Sequence, residues 1–225
     1  MEETKPVEAK NPAPVQTTEL APQQQTDLAV KNGNKDVWTN MIDKYGAVKT
    51  AEFLSKSAFV PASYQGNAAD CLIAVDFASR VGVPPLTVMQ NMNVVKGKPS
   101  WSGQFCMALI HAHPAFTNAR LVYTGTKGTD NRGAYVTALR TSDGSRVDGT
   151  EVTMAMAKAE GWTNNPKWRN MPEQMLGYRA AAFFARLHCP EALLGLQTSE
   201  EIEDVDATKA GTAARNLTQA IRNGG

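Results

Sequence analysis

The sequence predicts an α+β domain: a small antiparallel hairpin and β-meander packed with several helices, preceded by a disordered N-terminal arm. Three observations point there. Apolar residues recur at three- and four-residue steps from Trp38 to Leu54, the spacing of one helix face. Between residues 116 and 152 the pattern changes to alternation, as in AYVTALR, with Gly, Asp and Asn clusters between the runs, as short antiparallel strands require. Residues 1–35 hold four of the twelve prolines, a QQQ run and only scattered aliphatics, so they offer no face to bury.

Taken in order, Trp38, Met41, Ile42, Tyr45, Val48, Phe53 and Leu54 form the first core helix. Asn67 is placed to cap a second helix through Leu72, Ile73, Val75, Phe77, Ala78 and Val81, and Gly82 to close it. Pro84 and Pro85 then open a short helix, since proline is tolerated in a first turn. MNVVKGKPSW reads as a hairpin turning at Gly97. Ser102 is placed to cap a helix carrying Phe105, Met107, Leu109 and Ile110. A three-stranded meander over 116–152 follows, then a helix from about 153 to Gly161, the loop WTNNPKWRNMP, and a long alanine-rich helix over 173–188. The expected division is an arm over 1–35, a core domain over 36–205 and a C-terminal tail over 206–225.

Size and composition bound the function. The chain has 225 residues, 42% hydrophobic and 20% charged, which suits one globular domain with tails. No apolar run approaches the length of about 18 that spans a bilayer, and the N-terminus lacks a basic segment followed by an apolar one. A soluble protein retained where it is made is expected, with no membrane partner. Cys71, Cys106 and Cys189 form no CxxC pair, so a reducing cytoplasm fits. No phosphate-binding loop, dinucleotide fingerprint or hydrolase motif occurs. His111 and His113, two apart, point about 200° apart within a helix and share a metal only if the helix has ended before Pro114. Cys106 has no base and orienting group in local sequence, so a buried structural thiol is expected. No catalysis, metal or cofactor is expected.

The near-zero net charge conceals a segregation. Residues 95–190 carry twelve basic groups against six acidic ones, whereas residues 191–206 carry six acidic groups and no basic one. A basic segment beside an acidic block suits a nucleic-acid groove flanked by a surface that repels DNA or docks a neighbour; a solvated face of mixed charge is the plainer reading.

Aromatics interleave with these cations. Trp101 follows Lys98, Trp168 stands between Lys167 and Arg169, and Tyr178 adjoins Arg179. Single-stranded nucleic acid needs cations for phosphates and rings for bases, which this pattern could supply. Rings anchoring core edges beneath Lys and Arg stems would give the same pattern. Arg179 and Arg186, seven apart, share a helix face able to grip phosphates or to form surface salt bridges.

The order of blocks resembles the RecT-type single-strand annealing proteins of phages and prophages over roughly residues 37–205. The blocks are VPASYQGNAADCLIAVDFASRVGVPPLTVMQNMNVV, the helix SGQFCMALIHAHPAF, the strand meander, and PKWRNMPEQMLGYRAAAFFARLHCP followed by an acidic stretch. Two features depart from the family's pattern. Ser102 precedes Gly103 where the family usually carries Lys or Arg, and Arg179 and Arg186 are separated by AAAFFA where the family's basic residues are often paired. An Erf-like annealing protein would offer the same activity on related architecture.

The resemblance implies a phage recombinase in the cytoplasm of a bacterial host, binding single-stranded DNA and an annealed duplex intermediate, without ATP. It also implies a homo-oligomeric ring or filament, with a host single-strand-binding protein and a phage exonuclease as further partners. On that reading Lys96, Lys98, Lys127, Arg132, Lys167, Arg169, Arg179 and Arg186 neutralise phosphates, and Trp101 or Trp168 supports the bases or the groove wall. The competing classes are a metal-dependent nuclease and a purely structural self-assembling protein.

Overall fold

The computed structural model describes residues 37–223; the arm expected over 1–35 lies outside them. Helix α1 (Val37–Ser55) breaks at Gly46, whose φ of 81° and ψ of 158° separate two helical segments. Only the second segment is well buried, through Thr50, Ala51 and Leu54. After a short 3-10 turn, α2 (Ala68–Val81) starts at Asn67, whose side chain accepts the Asp70 N–H, and ends at the left-handed Gly82. Both caps stand where the sequence placed them. Helix α3 (Pro85–Asn91) carries proline in its first turn.

Strands β1 (Met92–Val95) and β2 (Lys98–Trp101) form the expected hairpin, with Val95 opposite Lys98. Lys96 and Gly97 both have positive φ, 51° and 76°, the two-residue turn that matches strand twist. A third strand, not expected from sequence, completes this sheet: β7 (Gln197–Thr198) pairs parallel with β2. Helix α4 (Gly103–Ala112) follows. Ser102 lies at its start, but its hydroxyl bonds Asn91 instead of capping the helix.

The expected meander is present as β3 (Phe116–Thr124), β4 (Gly133–Arg140) and β5 (Arg146–Asp148), all antiparallel, with β6 (Val152–Thr153) also pairing β4. Between β5 and β6 the chain passes Gly149, whose N–H still donates to the Val136 carbonyl at 2.8 Å and where a Cβ would stand 3.0 Å from Phe184 of the helix that crosses the sheet. Thr153 caps α5 (Met154–Ala159) by accepting the Met156 N–H.

The expected loop over 162–172 contains a 3-10 turn and one turn of helix, α6 (Lys167–Asn170). Helix α7 (Pro172–His188) is the centre of the fold. Its Ala181, Ala182, Phe184 and Ala185 lie in the main core with Trp101, Phe105, Ile110 and Val136, while its Met175, Leu176 and Ala180 join a second core with Trp168 and Val152. Small residues let neighbours approach closely: a Cβ on Gly103 would lie 2.7 Å from Cβ of Tyr178. A short helix, α8 (Pro190–Leu193), leads to β7 and then to α9 (Ser199–Asn223). Residues 206–223, expected as a tail, therefore continue a helix that starts inside the acidic block.

Candidate nucleic-acid interface

The acidic start of α9 lies against the cations singled out from sequence. Arg179 and Arg186, on one face of α7, both meet it. Arg186 forms a two-pronged pair with Glu201, at 2.9 and 2.8 Å. Arg179 is buried, donates to Asp204 and lies flat on the Trp162 ring, 3.9 Å from its centroid. Asp204 also accepts from Trp168 Nε1 at 2.9 Å and Asn165 Nδ2 at 2.8 Å. The expected phosphate-gripping face is thus a salt-bridge face turned toward α9, and Arg179 is closed off from solvent.

Two further pairs lie at the surface. Lys167 meets Glu203 at 2.6 Å and Lys96, at the hairpin tip, meets Asp206 at 2.7 Å. In addition the Glu200 carboxylate accepts the Gly103 N–H at 2.9 Å, supplying the anion that a helix N-terminus favours and that Ser102 does not provide. Lys98 and Arg169 are exposed, and no described acid pairs with them.

Lys127 and Arg132 stand apart, at the loop joining β3 and β4. Arg132 donates to the carbonyls of Thr124 and Gly125 and to Glu173 at 3.0 Å, and lies over the Tyr123 ring. It clamps the loop to the start of α7. Lys127 is exposed and 3.7 Å from the same Glu173.

Both candidate tryptophans are buried. Trp101 is fully buried between Phe77 and Phe105, and its Nε1 donates to the Leu193 carbonyl at 3.0 Å. Trp168 is 1% exposed and packs beside Trp162. In α6, Lys167 and Arg169 flank an inward-facing Trp168, so the alternation of cation and ring marks one buried and two outward positions. Both rings are core anchors, the plainer of the two sequence readings.

Burial and pairing set the protonation chemistry. Burial pulls Arg179 below its ordinary value and pushes Asp204 up. Burial also pushes Glu201 up, but hydrogen bonds from Arg186 and the Thr198 N–H outweigh it, so Glu201 ends below the usual carboxylate range. The bond to Glu203 raises Lys167. All three cysteines are free and buried; burial pushes the thiols of Cys106 to about 12 and Cys189 to about 11, away from thiolate chemistry. His113, just past the end of α4, pairs with Glu191 at 2.9 Å. Among the described residues no three metal-ligating side chains gather, and no single helix is long and apolar enough to cross a membrane.

The acids of α9 are the functional neighbours that sequence reasoning left unassigned. A signal existed: six acids in residues 191–206 equal the charge excess of the preceding basic segment. The family model described as RecT family matches residues 59–213, more than half of the chain, from the turn after α1 into α9. No curated protein and no solved structure matches the chain.

Proposed function

The chain belongs to the RecT family, whose members anneal single strands in phage recombination, and from that membership we propose that this protein binds single-stranded DNA and pairs complementary strands without ATP. The observation that carries the strand contacts is the exposed pair Lys98 and Arg169, cations with no described acid partner. Lys96 and Lys167 stand beside them in the hairpin and α6, and Lys127 and Arg132 supply charge at the β3–β4 loop. Arg179 and Arg186 act indirectly, by seating α9. Contacts of this kind neutralise phosphates and carry little sequence information. Bases left free by backbone contacts can then test a second strand by pairing, whose own free energy drives annealing.

Few free cations per subunit bind weakly at cellular salt, so a homo-oligomer, ring or filament, is part of the proposal: linked sites raise the effective concentration of the next contact. Its strands would be host or phage DNA in the cytoplasm of a bacterium, with a host single-strand-binding protein and a phage exonuclease as neighbours in the process. The annealing unit is taken as residues 36–205 together with the rest of α9. No bond-making chemistry is assigned to it.

The test is annealing of two complementary fluorescent oligonucleotides without nucleotide cofactor, comparing the protein with a Lys98→Glu, Arg169→Glu variant. Acceleration by the protein, lost in a variant with an unchanged circular dichroism spectrum, supports the assignment. Strand binding with no acceleration reduces the protein to a single-strand coat; metal-dependent loss of label would point to a nuclease instead. Undiminished annealing by the variant would remove Lys98 and Arg169 from the track.

A further inference from the structure

Five acids of α9 each occupy a positive position on the rest of the chain: Glu200 the Gly103 N–H, Glu201 Arg186, Glu203 Lys167, Asp204 Arg179 and Asp206 Lys96. These contacts fall into two groups. Asp204 and Arg179 have side chains 0% and 7% exposed, and Glu201 is 7% exposed although its partner Arg186 is 43% exposed; breaking these pairs leaves a buried charge, Arg179 or Glu201, uncompensated, so they hold α9 in place. Lys96 and Lys167 are 70% and 44% exposed, and their partners Asp206 and Glu203 are 30% and 38% exposed. Exposed pairs contribute little to stability and exchange readily.

Resting on the DNA-binding reading above, we infer that the outer acidic edge of α9, Glu203 and Asp206, occupies part of the single-strand track and competes with phosphates for Lys167 and Lys96. The two acids are three apart in one helix and therefore neighbours on one face, so the two lysines they hold are brought side by side. Each lysine adjoins an exposed cation that has no described acid partner: Lys98 opens β2 just after the turn that Lys96 and Gly97 make, and Arg169 lies two residues from Lys167 in α6. The track is thus half open and half covered. An incoming phosphate backbone exchanges with the carboxylates at Lys96 and Lys167, while the inner pairs keep α9 docked. The edge weakens single contacts and makes retention depend on several phosphates at once.

The exchange has a thermodynamic signature. A lysine already neutralised by a carboxylate gains less from a phosphate, because the freed carboxylate takes up a cation from solution. Removing Glu203 and Asp206 should therefore tighten binding and also steepen its salt dependence. For single strands each added phosphate contact contributes a slope of about 0.7, so two contacts add up to about 1.4.

The experiment titrates labelled oligo-dT with the full chain between about 50 and 200 mM salt and follows anisotropy. A Glu203→Gln, Asp206→Asn variant is compared with a Glu52→Gln, Glu160→Gln control, which makes the same change in net charge at exposed acids with no described cation partner. The expected result is binding about 3- to 10-fold tighter than the control, with the steeper slope, and loss of the gain when Lys96→Gln and Lys167→Gln are added. Equal affinity and slope in variant and control would overturn the competition while leaving DNA binding intact. No binding by the unaltered chain at the lowest salt would overturn the DNA-binding reading and this inference together. Unfolding midpoints of both variants, expected near that of the unaltered chain, separate these results from loss of fold.

Discussion

Replacing Asp204 by alanine tests whether α9 is held by its buried charge. Asp204 is fully buried and receives three donors: Arg179, Trp168 Nε1 and Asn165 Nδ2. Truncation orphans all three, and the dominant loss is the Arg179 cation left without its hydrogen-bonded counterion, Glu201 being the acid that still attracts it. Breaking a buried pair in this way costs about 3–5 kcal/mol. Glu201 still attracts the guanidinium in the variant and offsets part of this, so the lower half of that range is expected. A domain of ordinary stability, about 5–15 kcal/mol, would remain folded but weakened. The assay is urea unfolding at neutral pH, followed by circular dichroism and tryptophan emission, since Trp162 and Trp168 stand 5.5 Å apart at this contact. Pairing Asp204→Leu with Arg179→Met should cost less than the two single changes added together, because neither partner is then left charged and alone. A loss below about 1 kcal/mol for the alanine variant, at an unchanged urea slope, would refute the view that this pair seats α9.

Acidification should weaken the fold in two steps. His188 has a buried Nε2 without a described hydrogen-bond partner, lies tilted against Phe184, and is held below its ordinary value by burial and by Arg140, against the opposing carbonyl of Asp148. Its stability contribution is complete above about pH 6.5 and is lost as pH falls toward the lower folded value, because the unfolded chain binds the proton first. Glu201, also lowered, acts in the same direction in the carboxylate range; a urea midpoint that stayed flat from neutral to acid would contradict both assignments. Gly103→Ala should destabilise by about 1–3 kcal/mol, since its Cβ meets the root of the Tyr178 side chain. Gly177→Ala should cost less, since the atoms met, a methyl of Leu121 at 2.8 Å and the Tyr123 hydroxyl at 3.2 Å, are side-chain ends that can shift, and alanine favours the helix by up to about 1 kcal/mol; equal thermal shifts for the two would disprove the distinction. Trp101→Phe should cost about 1–3 kcal/mol by leaving the Leu193 carbonyl unpaired yet keep oligonucleotide affinity, and a tenfold loss of affinity in the folded variant would return Trp101 to the strand track.

What the sequence disclosed follows the range of the forces involved. Asn67, Gly82, Pro85 and Gly97 act through their own or adjacent backbone, and each stands at the cap or turn expected of it. Strand β7 was hidden because two residues, Gln197 and Thr198, carry no period, and their pairing with Ser100 and Trp101 is decided by α8 and the chain reversal before it. The site was legible as a charge pattern and not as a geometry. Lys167, Trp168 and Arg169 look alike in a string of letters, but one turn of helix turns the middle one inward and leaves the outer two at the surface. Ser102 was legible as a start signal, while the anion at that helix end comes from Glu200, 97 residues away.

The balance of charge has a physical meaning once the pairs are known. A segment with six excess cations would be a strong polyanion binder if its cations were all free, and it would also repel itself in the compact state. The fold removes much of that repulsion by laying α9 along the cations, so that Arg179 and Arg186 serve cohesion, while the outer lysines and exposed cations such as Lys98, Lys127 and Arg169 remain for the ligand proposed above. Stability and strand binding therefore draw on different members of one charge cluster, divided by burial. That division fits the placing of the acids in one helix: acids scattered over the surface would lower the whole field, whereas the buried acids at 201 and 204 neutralise Arg186 and the buried Arg179, and acids at 203 and 206 reach the exposed lysines. On the function proposed above, a single subunit would have a modest grip on DNA, and a firm one would require many subunits along the same strand.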